Sequence, residues 1–136
     1  MVFNTTRRIV LAYVDLTNET IEEVITNNDT VVDDYMADWC APSKSFCTIF
    51  EKLSEEFPDG FFAKVDTQNE QEIASFFQIR SIPTLMIFRE KVMVFSQPGA
   101  LPEGALSDVV TKVQNLDMVE VQKQVAEQQA AKEKQA

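Results

Sequence analysis

The residue types that could do chemistry in this chain are gathered in one hexapeptide, Trp39-Cys40-Ala41-Pro42-Ser43-Lys44. A cysteine that leaves a strand and opens a helix sits among unpaired backbone N–H groups at the positive end of the helix dipole. Both favour the thiolate, which is the nucleophile, so the pKa of Cys40 is expected below the free value of about 8.5. Pro42 suits a first helical turn, where its missing N–H is no loss, and Lys44 adds a nearby positive charge. Ser43 stands where a Cys-x-x-Cys redox pair would carry its second sulfur. A hydroxyl keeps the shape but cannot form or resolve a disulfide. The hexapeptide therefore reads as a thiol able to attack a disulfide and lacking the partner that would finish the exchange.

Cys47, the other cysteine, is no substitute for that partner. It lies seven residues after Cys40, a separation of roughly 10 Å along a helix. A disulfide needs Cα atoms within about 7 Å. Cys47 is expected to be a small helix residue facing the core. With two cysteines and no histidine, the chain cannot build a four-ligand zinc site of Cys and His, and no metal site is expected.

The elements that must position the hexapeptide follow from apolar periodicity. Tyr13 to Leu16, with a start as early as Arg8, reads as a strand, and Thr17 as the cap of a helix whose apolar face is Ile21, Val24 and Ile25. Thr30 to Met36 reads as a strand and Ser43 to Phe57 as a helix that buries Phe46, Ile49, Phe50, Leu53 and Phe57. Phe61 to Asp66 is a further strand after the Pro58-Asp59-Gly60 turn, followed by a helix near Glu70 to Phe77. Leu85 to Phe88 and Val92 to Ser96 form an antiparallel hairpin around Arg89-Glu90-Lys91. A last helix after Gly104 carries Leu106, Val109, Val110 and Val113 at helical spacing. This order predicts an α/β fold, a mixed sheet with helices on both faces. From about Leu116 the chain turns to Gln, Glu, Lys and Ala, good helix formers, and a helical extension fraying into solvent is expected.

The hexapeptide resembles the W-C-x-P-C-K pattern of bacterial thioredoxins with serine at the second cysteine, and the likeness continues without gaps from Asp34 to Leu101. The resemblance implies the thioredoxin fold, with residues 1–12 as an N-terminal extension, 13–116 as the domain and 117–136 as a polar helical extension. It implies that Asp34, six residues before Cys40, is the buried aspartate that assists proton transfer, and that Lys64 pairs with it. Burial of a lone carboxylate is costly, which gives the lysine a physical purpose, and desolvation should raise the Asp34 pKa. Arg80-Ser81-Ile82-Pro83-Thr84 matches the family's cis-proline loop. Trp39, Ala41, Pro42, Ile82, Pro83, Gly99 and Ala100 would line the groove for an extended substrate. An ordinary turn role for Gly99 stays open.

Several positions depart from the family pattern besides Ser43. Met36 stands for a tryptophan, Asp33 for an apolar strand residue, Thr48 for the proline that kinks the active-site helix, and Lys91 for a hairpin glycine. If Asp33 points inward it needs a partner or distorts its strand. Thr48 should leave the helix straighter, and Lys91 suggests a different turn type. Either a resolving-cysteine variant made to trap partners or a natural monothiol relative would carry this set.

The net charge of −10 argues against nucleic acid, and no apolar run approaches the about 20 residues of a membrane span. Ile9 to Val14 is too short for a convincing signal peptide, so a cytoplasmic location is expected. The leading functional reading is a thioredoxin-type disulfide oxidoreductase, part of electron transport in cell redox homeostasis. Cys40 would attack protein disulfides and be held in a persistent mixed disulfide. By analogy its partners would be disulfide-containing proteins and an NADPH-dependent thioredoxin reductase, with no resident cofactor and with a Cys40-linked dimer under oxidising conditions. A redox-silent peptide-binding module is the alternative. A third is a [2Fe–2S] carrier in which two chains each donate Cys40.

Overall fold

The computed structural model describes the backbone of residues 13–37 and 41–135 and the side chains of residues 14–37 and 48–134. Five strands, β1 (Tyr13–Asp15), β2 (Thr30–Met36), β3 (Phe61–Asp66), β4 (Thr84–Arg89) and β5 (Val92–Pro98), form one sheet in the order β1-β3-β2-β4-β5. β3 is parallel to both β1 and β2, whereas β4 is antiparallel to β2 and to β5. Five helices join them: α1 (Ile21–Asn27), α2 (Ala41–Glu56), α3 (Gln71–Phe76), α4 (Glu103–Gln114) and α5 (Met118–Gln135). Sequential parallel strands need crossovers of this kind, and the helices cover both faces of the sheet.

β2 pairs on both edges and every one of its residues is buried. Its alternation therefore sorts side chains between two cores. Val32 joins Phe62, Leu85 and Ile87 on the face covered by Phe50 and Leu53 of α2 and by Leu106, Val110 and Val113 of α4. Val31 and Tyr35 join Val65, Met86 and Phe88 on the other face, with Ile21, Val24 and Ile25 of α1 and Ile73 of α3 against them. Phe50 and Phe62 meet edge to face at 5.3 Å. Pairing and burial together fix the register that brings the site residues to one end of the sheet.

Several details differ from the sequence-based expectations. The helix predicted behind Thr17 runs from Ile21, and Thr20 at its start makes no side-chain cap. Thr17 begins the preceding turn instead: its carbonyl accepts the Thr20 and Ile21 N–H groups, and its own N–H donates to Thr20 Oγ1 at 3.0 Å. Its hydroxyl is engaged with that of Thr20, so it does not serve as the cap. α2 opens at Ala41, two residues before the expected start, and runs unbroken through Thr48. The C-terminal residues are not a fraying continuation of α4 but a separate helix, α5. There Met118 is buried and Gln122 Nε2 donates to the Glu90 carbonyl at 3.2 Å. Arg89 helps fix this corner: Nε binds Asp29 Oδ2 at 2.7 Å, and an η nitrogen donates to the Val113 and Gln114 carbonyls at the end of α4.

The β4–β5 turn also corrects the sequence reading. Arg89 pairs with Val92, leaving a two-residue loop, and Glu90 and Lys91 hold φ of 50° and 72°. Both central residues are left-handed, the signature of a type I′ turn, so loss of the glycine has not moved the hairpin to another class. A side chain at Lys91 is strained there, by about 1–2 kcal/mol in that region.

Asp33 is the sheet's other anomaly. Opposite Ala63 and Met86, it faces the α1/α3 side and is 0% exposed. The partner it needs is Tyr35, two residues on and on the same face, whose hydroxyl donates to Oδ2 at 3.3 Å. Oδ1 has no hydrogen-bond partner among the described residues. Burial above all, with a smaller push from the neighbouring Asp34 charge and against the lowering effect of the tyrosine bond, raises the carboxyl to about 7. Burial and the adjacent carboxylate also push the Tyr35 phenol upward, which keeps it a donor.

Two expectations follow. Lys91→Gly removes the left-handed strain and adds backbone freedom to the unfolded chain, for a net gain of about 0.5–1 kcal/mol in urea unfolding. An unchanged or lowered midpoint would contradict the strained turn. Asp33 is protonated in both states below 3.8, the value of the unfolded chain, so no loss arises there. Between 3.8 and about 7 only the unfolded chain ionises, and stability falls as pH rises, by about 1.4 kcal/mol per pH unit. The full loss, on the order of 4 kcal/mol, persists above that window. Asp33→Asn should flatten the slope measured across the window and leave the protein more stable at its upper end. An equal slope in the variant would assign the dependence to other groups.

Candidate functional site

β2 ends at Met36 and α2 begins at Ala41, so the hexapeptide lies on the connection from the carboxyl end of the central strand into a 16-residue helix. Ligands of open α/β sheets bind at the carboxyl ends of strands where the order reverses. β2 stands at such a point, with β3 on one side and β4 on the other. Trp39 and Cys40 lie outside the described residues. Ala41, Pro42 and Ser43 form the first turn of the α2 backbone, and their side chains, with that of Cys47, lie outside the described ones. The first N–H groups of a helix have no partner within it, so the backbone at this point favours an anion.

Asp34 is 0% exposed and projects to the α2/α4 face, opposite to Asp33. Its register partners are Lys64 on β3 and Leu85 on β4, so the aspartate and lysine joined by the resemblance stand side by side on adjacent strands. Lys64 also faces Asp15 of β1, with Nζ 3.9 Å from Asp15 Oδ1. The three form a row Asp15–Lys64–Asp34, running from an exposed carboxylate through a lysine side chain 30% exposed to a buried carboxylate. The row leads from the interior beside β2 to the surface. A solvent-open depression of ≈ 350 Å³ lined in part by Asp15, Met36, Lys64 and Asp66 reaches it from outside. Sequence reasoning missed Asp15, because the pairing of strands distant in sequence is not visible in their composition.

The second wall of the site is built by the loop before β4. The Ile82–Pro83 peptide bond is cis, the form that the resemblance implies. Pro83 is buried, Ile82 half-buried and Ala100 exposed. The Thr84 hydroxyl donates to the Ser81 carbonyl at 2.5 Å and closes the loop on itself. Gly99, just beyond β5, donates its N–H to the Pro83 carbonyl at 2.8 Å and holds a φ of 93°. A left-handed conformation is one that glycine adopts freely, so Gly99 is more than an incidental turn residue: it ties the end of β5 to the proline loop. Pro83, Gly99 and Ala100 are thereby brought together, and Asp34 and Lys64 form a second group across the sheet.

The chain is similar in sequence and fold to known proteins. The thioredoxin family model matches residues 12–112. Over 117 residues the chain is 54% identical to "Putative thioredoxin 2" of Streptomyces coelicolor, covering 86% of this chain and 87% of that protein. Among solved structures, a mutant thioredoxin from Halobacterium salinarum superposes with a TM-score of 0.72 at 31% identity, covering 76% of this chain and 92% of that one. Thioredoxin f from spinach chloroplast gives 0.71 at 26% identity, covering 82% and 95%.

Proposed function

The chain belongs to the thioredoxin family of thiol–disulfide oxidoreductases, and on that premise we propose that it works from a single sulfur, Cys40, with Ser43 leaving its exchange unfinished. The observation that carries this reading is the placement of Ser43 as the third residue of α2, three residues after Cys40 in the sequence. The helix start supports a thiolate at Cys40. That thiolate attacks one sulfur of a partner's disulfide; a new S–S bond forms, the old one breaks, and the second partner sulfur leaves as a thiolate. No net oxidation occurs in this step.

Release requires a second thiolate to attack Cys40 in the mixed disulfide. The Ser43 hydroxyl is neither acidic nor nucleophilic enough to do so, and an oxygen cannot take up the disulfide. An outside thiol must finish the exchange, so the adduct persists until one arrives. The family's partners are disulfide-containing proteins and thioredoxin reductase, and the former suit this chemistry directly. The Pro83 loop, tied to Gly99, suits one wall for an extended substrate segment.

Intact mass after mixing with a disulfide-containing peptide tests the proposal. The expected result is one peptide adduct, mapped to Cys40, stable on standing and lost with dithiothreitol. Cys40→Ser should abolish it, and Ser43→Cys should convert the lasting adduct into turnover in a disulfide-reduction assay. No adduct at neutral pH, or binding that survives alkylation of Cys40 undiminished, would hand the groove to a redox-silent role. An adduct retained in Cys40→Ser would assign the reactivity to Cys47.

A further inference from the structure

The sheet face opposite α2 carries a second surface with its own chemistry. Between α1 and α3 lies a groove of ≈ 410 Å³ whose floor is Ile21, Ile25, Ile73 and Phe77. Phe76 stands at its edge, 79% exposed, packed at 88° against Phe77 with ring centroids 5.0 Å apart. A single exposed apolar residue is ordinary, but a bulky aromatic continuous with an apolar trough is not. Phe77 in turn meets Tyr35 and Phe88 edge to face at 5.9 Å each, so the trough is backed by rigid core rather than by mobile side chains.

The rim decides what fits. Glu22 and Glu72 line the same groove, and neither forms a salt bridge among the described residues. The segments that build this side, residues 17–29 and 66–77, contain seven carboxylates and no lysine or arginine. They therefore carry −7 of a whole-chain net charge of −10. Charge of one sign around an apolar trough attracts a ligand of opposite charge and repels copies of itself, which disfavours a second chain as occupant.

We propose that this groove is a docking site for a partner protein's basic segment, one with a bulky apolar anchor flanked by lysine or arginine. The anchor lies in the trough against Phe76, Ile21 and Ile73, and the flanking cations meet Glu22 and Glu72. Phe76 is the central aromatic of the contact, and the carboxylates supply orientation and rate of encounter. The surface is independent of Cys40: it lies on the other face of the sheet from α2 and involves no covalent step.

The test is a titration of the full chain with a cysteine-free peptide carrying a Phe-Leu anchor between lysine runs, followed by the methyl NMR signals of Ile21, Ile25 and Ile73. Saturable shifts confined to these methyls and the Phe76 ring are expected, with affinity falling as salt is added. Phe76→Ser, a change at an exposed position that spares the core, should weaken binding about tenfold or more. Glu72→Lys should weaken it and reduce the salt dependence, and a peptide with Ser-Ser in place of the anchor should bind much more weakly. Equal binding of the two peptides, shifts elsewhere on the surface, indifference to Phe76→Ser, or no saturable binding would each overturn the proposal. So would a concentration-dependent dimer dispersed by Phe76→Ser, which would assign the groove to a second copy. None of these outcomes depends on a thiol, so failure here leaves the Cys40 chemistry untouched.

Discussion

The structure depends on a strand that has no free side. β2 is hydrogen-bonded on both edges and covered on both faces, so each of its residues must be accommodated by the interior. A strand in that position ordinarily reads as a continuous apolar run. This one carries Asp33 and Asp34 in succession, and alternation sends them to opposite cores. Asp34 enters a row with Lys64 and Asp15 that leads toward solvent, whereas Asp33 has, among the described residues, only the Tyr35 hydroxyl in an otherwise apolar layer. The two carboxyls are neighbours in sequence and unlike in surroundings. Ionising one raises the cost of ionising the other, because the sheet between them is thin and dry.

From that strand the two faces acquire different tasks. The α2/α4 side anchors the helix that opens with Ala41 to Lys44 of the hexapeptide, through Phe50 and Leu53 well down its length. The α1/α3 side is built from short helices of seven and six residues, too short to be stable alone and held by what they bury. Such helices leave part of their apolar face uncovered, which is how Phe76 and the neighbouring isoleucines come to line a groove. Arg89 works at the far end of the molecule, joining Asp29 before β2 to the last carbonyls of α4, so the two faces are tied at one corner.

Much of this was legible because it is local. β2 and β3 were bounded correctly by β-branched and aromatic runs, and the helical stripes of α2 and α4 by periodicity. Tyr35 as the partner of Asp33 was within reach too, since residues two apart on a strand share a face. What escaped was non-local or conformational. The break that separates α5 from α4 at Asn115 to Asp117 falls in a stretch without Gly or Pro. The left-handed Glu90 and Lys91 are imposed by strand twist against the preference of the residues themselves. The Asp15–Lys64 contact and the Gly99–Pro83 bond join elements whose register only the assembled sheet determines. A cis bond at Pro83 was never readable from spacing, because most X–Pro bonds are trans; only the likeness to a family pointed to it. Of the candidate site, the scaffold is described, whereas Trp39 and Cys40 lie outside the described residues.

Attack and release in disulfide exchange draw on different parts of such a site. Attack needs a thiolate at a helix start, and that start is set by where β2 ends, by Pro42 in the first turn and by apolar anchors such as Phe50 and Leu53. None of these involves residue 43. Release needs a second thiolate, either from that one position or from another molecule. As proposed above, an oxygen at Ser43 in place of sulfur separates the two halves. On the proposed reading the buried Asp34, with Lys64 beside it, no longer serves an internal thiol. Release then depends on a thiol arriving from outside.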